Sequence, residues 1–80
     1  MGISNEDRIF LKKLGKRIRD IRKDKGLTQA ELGFRCDMEK PSIGRIEIGG
    51  TNPTILTIKK ICRELEIELD EFFKEGGDDL

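Results

Sequence analysis

Between Gly26 and Gly50 the chain carries enough local start and stop signals to require two short helices separated by only a few residues, and nothing else in the sequence constrains the fold as strongly. Gly26 is followed by Leu27, Thr28, Gln29, Ala30, Glu31 and Leu32. Thr28 can cap a helix, Glu31 can reach back to complete a capping box, and Leu27 and Leu32 hold the two positions of a hydrophobic staple. Helix 2 is therefore predicted over residues 28–35. Asp37 stands where the chain must turn, and short polar residues tolerate turn geometry better than most. Glu39, Lys40, Pro41 and Ser42 open the next helix, where Pro41 is acceptable because first-turn amides have no intrahelical acceptor to lose. With Ile43 and Ile46 inward, helix 3 is expected over residues 40–48, stopping at Gly49 and Gly50.

The flanking segments read as helices too. From Arg8 to Lys25 the residues Phe10, Leu14, Ile18 and Ile21 keep the spacing of one helix face, and Gly26 follows at the position of a left-handed C-cap. The other faces of this helix 1 carry nine Lys and Arg, opposed only by Asp20 and Asp24. Asn52 and Pro53 make a bend. Thr54 can cap helix 4, with Ile58, Ile61, Cys62 and Leu65 inward, and a last turn or two after Glu68 puts Leu69, Phe72 and Phe73 on one side. The expectation is an all-α fold in one domain over residues 1–75, with residues 1–6 as a flexible lead and 76–80 as a mobile acidic tail.

Composition narrows the function. A chain of 80 residues, 35% hydrophobic and 40% charged, suits a small core with solvated faces and leaves little for a substrate cavity. There is no histidine, no paired nucleophile and base, and no glycine-rich phosphate loop after a strand, so no enzyme, cofactor or small-molecule substrate is expected. Cys36 and Cys62 lack the partners of a zinc site and read as small buried hydrophobes, so no metal is expected. No apolar run is long enough to span a bilayer and no signal-peptide pattern occurs, which points to the cytoplasm. Glu6 stands where a myristoylation motif needs Ser or Thr. The net charge is zero but unevenly spread: residues 1–50 hold twelve Lys and Arg against eight Asp and Glu, 12 − 8 = +4, and residues 51–80 hold four against eight, 4 − 8 = −4. A basic face with an acidic far side can still dock on DNA.

Two short helices joined by a tight turn, the second opening with polar and basic residues, form a helix-turn-helix pattern. From Leu14 to Phe73, and especially in LGKRIRDIRKDKGLTQAELG, PSIGRIEIGGTNPT and LEIELDEFF, the chain resembles the Cro and phage-repressor class of helix-turn-helix domains, the XRE family. The resemblance implies a compact five-helix, lambda-repressor-like DNA-binding domain in which helices 2 and 3 form the helix-turn-helix. It implies that Gln29 contacts a DNA phosphate with Thr28 beside it, and that Lys40, Ser42 and Arg45 lie against base edges or the adjoining backbone. Arg45 is the strongest base reader of the three, since a guanidinium can pair bidentately with guanine. Arg22 and Glu47 match a structural ion pair of the family, and Gly49, Gly50, Thr51 and Asn52 match its phosphate-contacting loop.

The chain departs from the family pattern in places. Pro41 and Gly44 stand where side chains often read bases, Gly33 stands where helix 2 usually has alanine, and Glu39 brings a negative charge towards the DNA. The implied function is a transcriptional regulator that binds a pseudo-palindromic double-stranded operator as a homodimer, in the manner of restriction-modification controllers, antitoxins or phage and plasmid regulators. A dimer surface is expected within residues 55–73, with Phe72 and Phe73 as its apolar candidates unless both close the core. The competing reading is a protein-interaction module with a degenerate helix-turn-helix.

Overall fold

The first helix, α1 (Asn5–Asp24), opens at Ser4, whose hydroxyl accepts a hydrogen bond from the Asp7 amide at 3.1 Å. This cap, with Glu6 and Asp7 in the positive first turn, starts the helix three residues before Arg8 and draws in Asn5 and Glu6, where a flexible lead was expected. Gly26, at φ 73°, ends it as anticipated. The computed structural model describes residues 2–75; the acidic run 76–80, expected to be mobile, lies outside the described residues.

Among the described residues the chain then forms α2 (Gln29–Arg35), α3 (Lys40–Glu47), α4 (Ile55–Glu64) and α5 (Leu69–Glu75), with no strand. The caps anticipated for α2 and α4 are both made. The Thr28 hydroxyl accepts from the Glu31 amide at 3.0 Å while the Glu31 carboxylate accepts from the Thr28 amide at 2.9 Å, and the Thr54 hydroxyl accepts from the Thr57 amide at 3.2 Å. Asp37 takes the left-handed conformation, φ 56°, that lets the chain reverse between α2 and α3. The Met38 amide then donates to the Gly33 carbonyl at 2.7 Å. Gly33 permits this closure, because a Cβ there would lie 2.6 Å from the Met38 carbonyl oxygen. In this chain the turn itself accounts for the departure from alanine.

One core joins all five helices. Leu11, Leu14 and Ile18 from α1 meet Leu32, Ile43, Ile46, Ile58, Ile61 and Leu65, each buried, and Leu27 packs on its edge. Fully burying one such side chain is worth roughly 1.5–3 kcal/mol. The inward face of α1 differs from expectation at one end: Leu11 is buried and Phe10 is 39% exposed. The cause is α3, which packs on the side of α1 that carries Gly15 and Arg22 and so turns the buried face away from Phe10. Cys36 and Cys62 are buried within the same core, and desolvation pushes the Cys62 thiol up to about 11 and raises that of Cys36 as well. Both therefore stay protonated at neutral pH.

Phe72 takes the second of the two places that the sequence left open to it. Its side chain is fully buried, so it closes the core and offers no surface to a second copy; Phe73 is half-buried and packs edge-on against it, with centroids 5.2 Å apart. Arg17 of α1 clasps this end of the fold, donating from Nε to the Phe72 carbonyl at 2.7 Å with its guanidinium 5.2 Å from the ring centroid.

Candidate nucleic-acid interface

Where α1, α2 and α3 meet, four polar side-chain and backbone groups form one buried network. Arg22 donates to Glu47 through Nε at 2.6 Å and Nη2 at 3.0 Å, and through Nη1 to the Leu27 carbonyl at 2.7 Å. The expected ion pair is thus present, and it is buried on both sides. Arg22 accordingly leaves the set of outward cations to which its basic character had assigned it. A fork-to-fork arginine–carboxylate pair fixes orientation as well as charge, so the Glu47 carboxylate is held rigidly where α3 ends. Its Oε1 also accepts from Gln29 Nε2 at 2.9 Å, which fixes the half-buried amide of Gln29 at the start of α2. No buried side-chain polar atom among the described residues lacks a partner.

Gly44 is part of the same arrangement. Atoms of the Gln29 amide lie 3.6–3.9 Å from the place a Cβ on Gly44 would take, an ordinary contact distance, so Gln29 lies across α3 at this point.

On the outer side of α3, Lys40, Pro41 and Arg45 are exposed and Ser42 is half-buried. Arg45 Nη2 lies 3.5 Å from Ser42 Oγ, too long to hold the guanidinium firmly. Glu39 occupies the N-cap of α3 without making a side-chain cap bond. Ile48 shares the outer face with Pro41 and Arg45, at spacings of four and three, and is 70% exposed. Sequence reasoning passed over Ile48, although that spacing contains the signal. Beyond it Gly49 takes φ 76°, and the backbone of Lys12 lies 2.8 Å from where its Cβ would be, so the loop is pressed against α1. Gly50 and Asn52 are exposed and Thr51 is half-buried. Gln29, the outer residues of α3 and the loop 49–52 are therefore joined through buried contacts into one rigid unit.

Thr28 is committed to the capping box, its hydroxyl oxygen accepting from the Glu31 amide and its own amide donating to the Glu31 carboxylate. The Thr28 backbone and hydroxyl hydrogen bonds hold the Glu31 carboxyl below the usual carboxylate range. A folded-state value below the unfolded one stabilises the fold at higher pH, and the contribution is lost as pH falls through the folded value. Thermal melts of the parent and Glu31→Gln are thus expected to differ at neutral pH and to converge on acidification; a constant difference would discount the carboxylate.

The chain matches the helix-turn-helix family model over residues 18–72. Curated relatives include the HTH-type transcriptional regulator SlrR of Bacillus subtilis, 38% identical over 61 residues, and PuuR of Escherichia coli, 33% identical over 61 residues. These matches take in 75% and 76% of this chain but 40% and 33% of the relatives, so the chain spans well under half the length of either. Among solved structures, the restriction-modification controller protein C.AhdI of Aeromonas hydrophila superposes with a TM-score of 0.77 at 36% identity, over 80% of this chain and 97% of that one. The controller C.Esp1396I, solved as a tetramer in complex with its natural 35 base-pair operator, superposes with a TM-score of 0.79 at 30% identity, over 86% of this chain and 91% of that one.

Proposed function

From the fact that this chain belongs to the helix-turn-helix family, we propose that it is a transcriptional regulator that acts by binding a specific double-stranded DNA site rather than by catalysis. The observation that carries the reading is the exposure of Lys40 and Arg45 on the outer face of α3, beside a Gln29 amide immobilised by Glu47. An element that enters the major groove needs free donors on its leading face and fixed phosphate contacts to set its register. Lys40, Ser42 and Arg45 supply the first. Thr28, Gln29 and the loop Gly49, Gly50, Thr51 and Asn52 supply the second. Ile48 adds an apolar surface suited to a thymine methyl group. With Pro41 and Gly44 unable to offer side-chain hydrogen bonds, readout rests chiefly on Arg45.

The protein acts as a homodimer on an inverted repeat, a reading favoured by the tetramer that C.Esp1396I forms on its operator. With Phe72 withdrawn into the core, the dimer surface moves to the start of α4, where Ile55 is 60% and Leu56 70% exposed. The competing interaction-module reading is not favoured, since neither Lys40 nor Arg45 is covered by the protein's own fold.

Selection from a randomised duplex pool at two salt concentrations tests these points together. The parent is expected to enrich two half-sites with centres about 34 Å apart. Arg45→Ala should relax preference at one base position in each half-site, at roughly 1–3 kcal/mol of discrimination. Gln29→Ala should weaken all sequences alike, and Ile55→Asp combined with Leu56→Asp should recover single half-sites. No enriched site at low salt would end the regulator reading, and equal loss on every sequence for Arg45→Ala would remove it as a base reader.

A further inference from the structure

We infer that α1 carries an additional DNA-contacting surface, a flank of four cations that follows the phosphate backbone beside the part of the site read by α3. This rests on the DNA-binding reading above and extends the contact surface to a helix that reading leaves unused.

Arg8, Lys12, Arg19 and Lys23 are separated by four, seven and four residues, which places them on one face of α1, and all four are exposed. With the described residues, none of the four forms an ion pair or a side-chain hydrogen bond. Asp20, the carboxylate beside Arg19, is paired with Lys16 on the adjoining face at 2.7 Å. Arg8 with Lys12, and Arg19 with Lys23, are like-charge pairs one turn apart, which oppose helix formation. Folding gains little from such a row, since only Arg19 and Lys23 find an attractive charge, at Asp20, whereas a polyanion would engage all four.

The position of the row matches that partner. Lys12 abuts Gly49, and Gly15 abuts the carbonyls of Ile46 and Glu47, so the flank begins beside the loop 49–52. It then runs along α1 towards the Arg22 contact with Leu27, where α2 starts. Both of its ends thus lie next to groups proposed to touch phosphates, and close backbone packing fixes it relative to Arg45. At 1.5 Å per residue the row is about 22 Å long. One strand of a duplex presents a phosphate about every 3.4 Å along its axis, so about six phosphates lie within that reach. The acidic second half of the chain meets α1 at Arg17, which lies well round the helix from this row.

The test uses the whole chain, with all four residues changed to glutamine (R8Q, K12Q, R19Q, K23Q). A control variant removes the same charge elsewhere (K13Q, K59Q, R63Q, K74Q). Affinity for a selected duplex extended by random flanking sequence is measured against salt. Each phosphate contact contributes about 0.9 to the slope of log affinity on log salt. The flank variant should have a slope shallower by roughly two to three and a half with base preference unchanged, while the control shifts by less than about one. The flank variant should also melt close to the parent, because the repulsion it loses is offset by the lost attraction of Arg19 and Lys23 for Asp20. Equal slopes in both variants would reduce the effect to net charge and overturn the proposal, as would a flank variant that binds like the parent. A change in the sedimentation of the free protein without a change in slope would assign the row to the acidic half of a second copy instead. If the parent itself bound no duplex, this inference would fall with the regulator reading; parent binding with equal slopes sinks the flank alone.

Discussion

Glu47→Ala is expected to cost about 3–5 kcal/mol, because removing one partner of a buried ion pair leaves the other charge without compensation. Arg22 would keep its bond to the Leu27 carbonyl but lose both bonds from Nε and Nη2 at a largely buried site. A domain of this size rarely has more than roughly 3–5 kcal/mol to lose, so the variant should be largely unfolded at room temperature. Urea denaturation of parent and variant reads this directly, and a loss under about 1 kcal/mol would mean that the pair is far better solvated than its burial indicates. Arg22→Met combined with Glu47→Leu separates stability from function. Replacing both partners by apolar groups of similar volume is often neutral or stabilising, so the double variant should fold. It would still lack the acceptor that fixes Gln29, and DNA binding should weaken on every sequence even though the melt recovers. Full binding by a folded double variant would show that Gln29 does not depend on Glu47 for its position.

Gly15→Ala is expected to be destabilising by at least about 2 kcal/mol, with a fall in Tm on the order of 10 °C. Two effects oppose one another here. Alanine is preferred over glycine within a helix by about 1 kcal/mol. Against this, the new Cβ would lie 2.5 Å from the Glu47 carbonyl oxygen and closer still to that of Ile46. Both obstructions are backbone atoms of α3, so no side-chain rotation relieves them, and α1 must move off α3 or strain the buried pair. Gly44→Ala supplies the contrast. Its Cβ would meet only the Gln29 amide, at 3.6 Å, an ordinary contact, so the preference for alanine should prevail and the melt should rise slightly. Equal effects of the two substitutions would refute the close approach of α1 to α3.

The local structure was largely legible. Thr28 with Glu31, Thr54 before α4, Asp37 in the turn and the inward face of α4 all follow from interactions within a few residues of chain. The family resemblance added the Arg22–Glu47 pair, whose partners are 25 residues apart. Ser4, like the spacing of Ile48, was a local signal passed over: it caps α1 by the same chemistry as Thr28, before a stretch with no apolar periodicity to draw attention to it. The misjudged residues share a different cause. Phe10 or Leu11 can each continue the apolar face of an isolated α1, and Phe72 can equally cover a core or present itself to another molecule. Periodicity does not distinguish these outcomes, because it records which residues share a face and not what lies against that face.

What the amino-acid order determined by itself, then, is where each helix starts, where most of them stop and where the chain reverses, since hydrogen bonds over three or four residues decide those points. Only the packed molecule decided which way α1 is rotated, that Phe72 is spent on the core, and that Gly15 and Gly33 are spaces for a neighbour. Those outcomes depend on atoms from distant segments competing for the same volume, and short-range spacing carries no record of that competition.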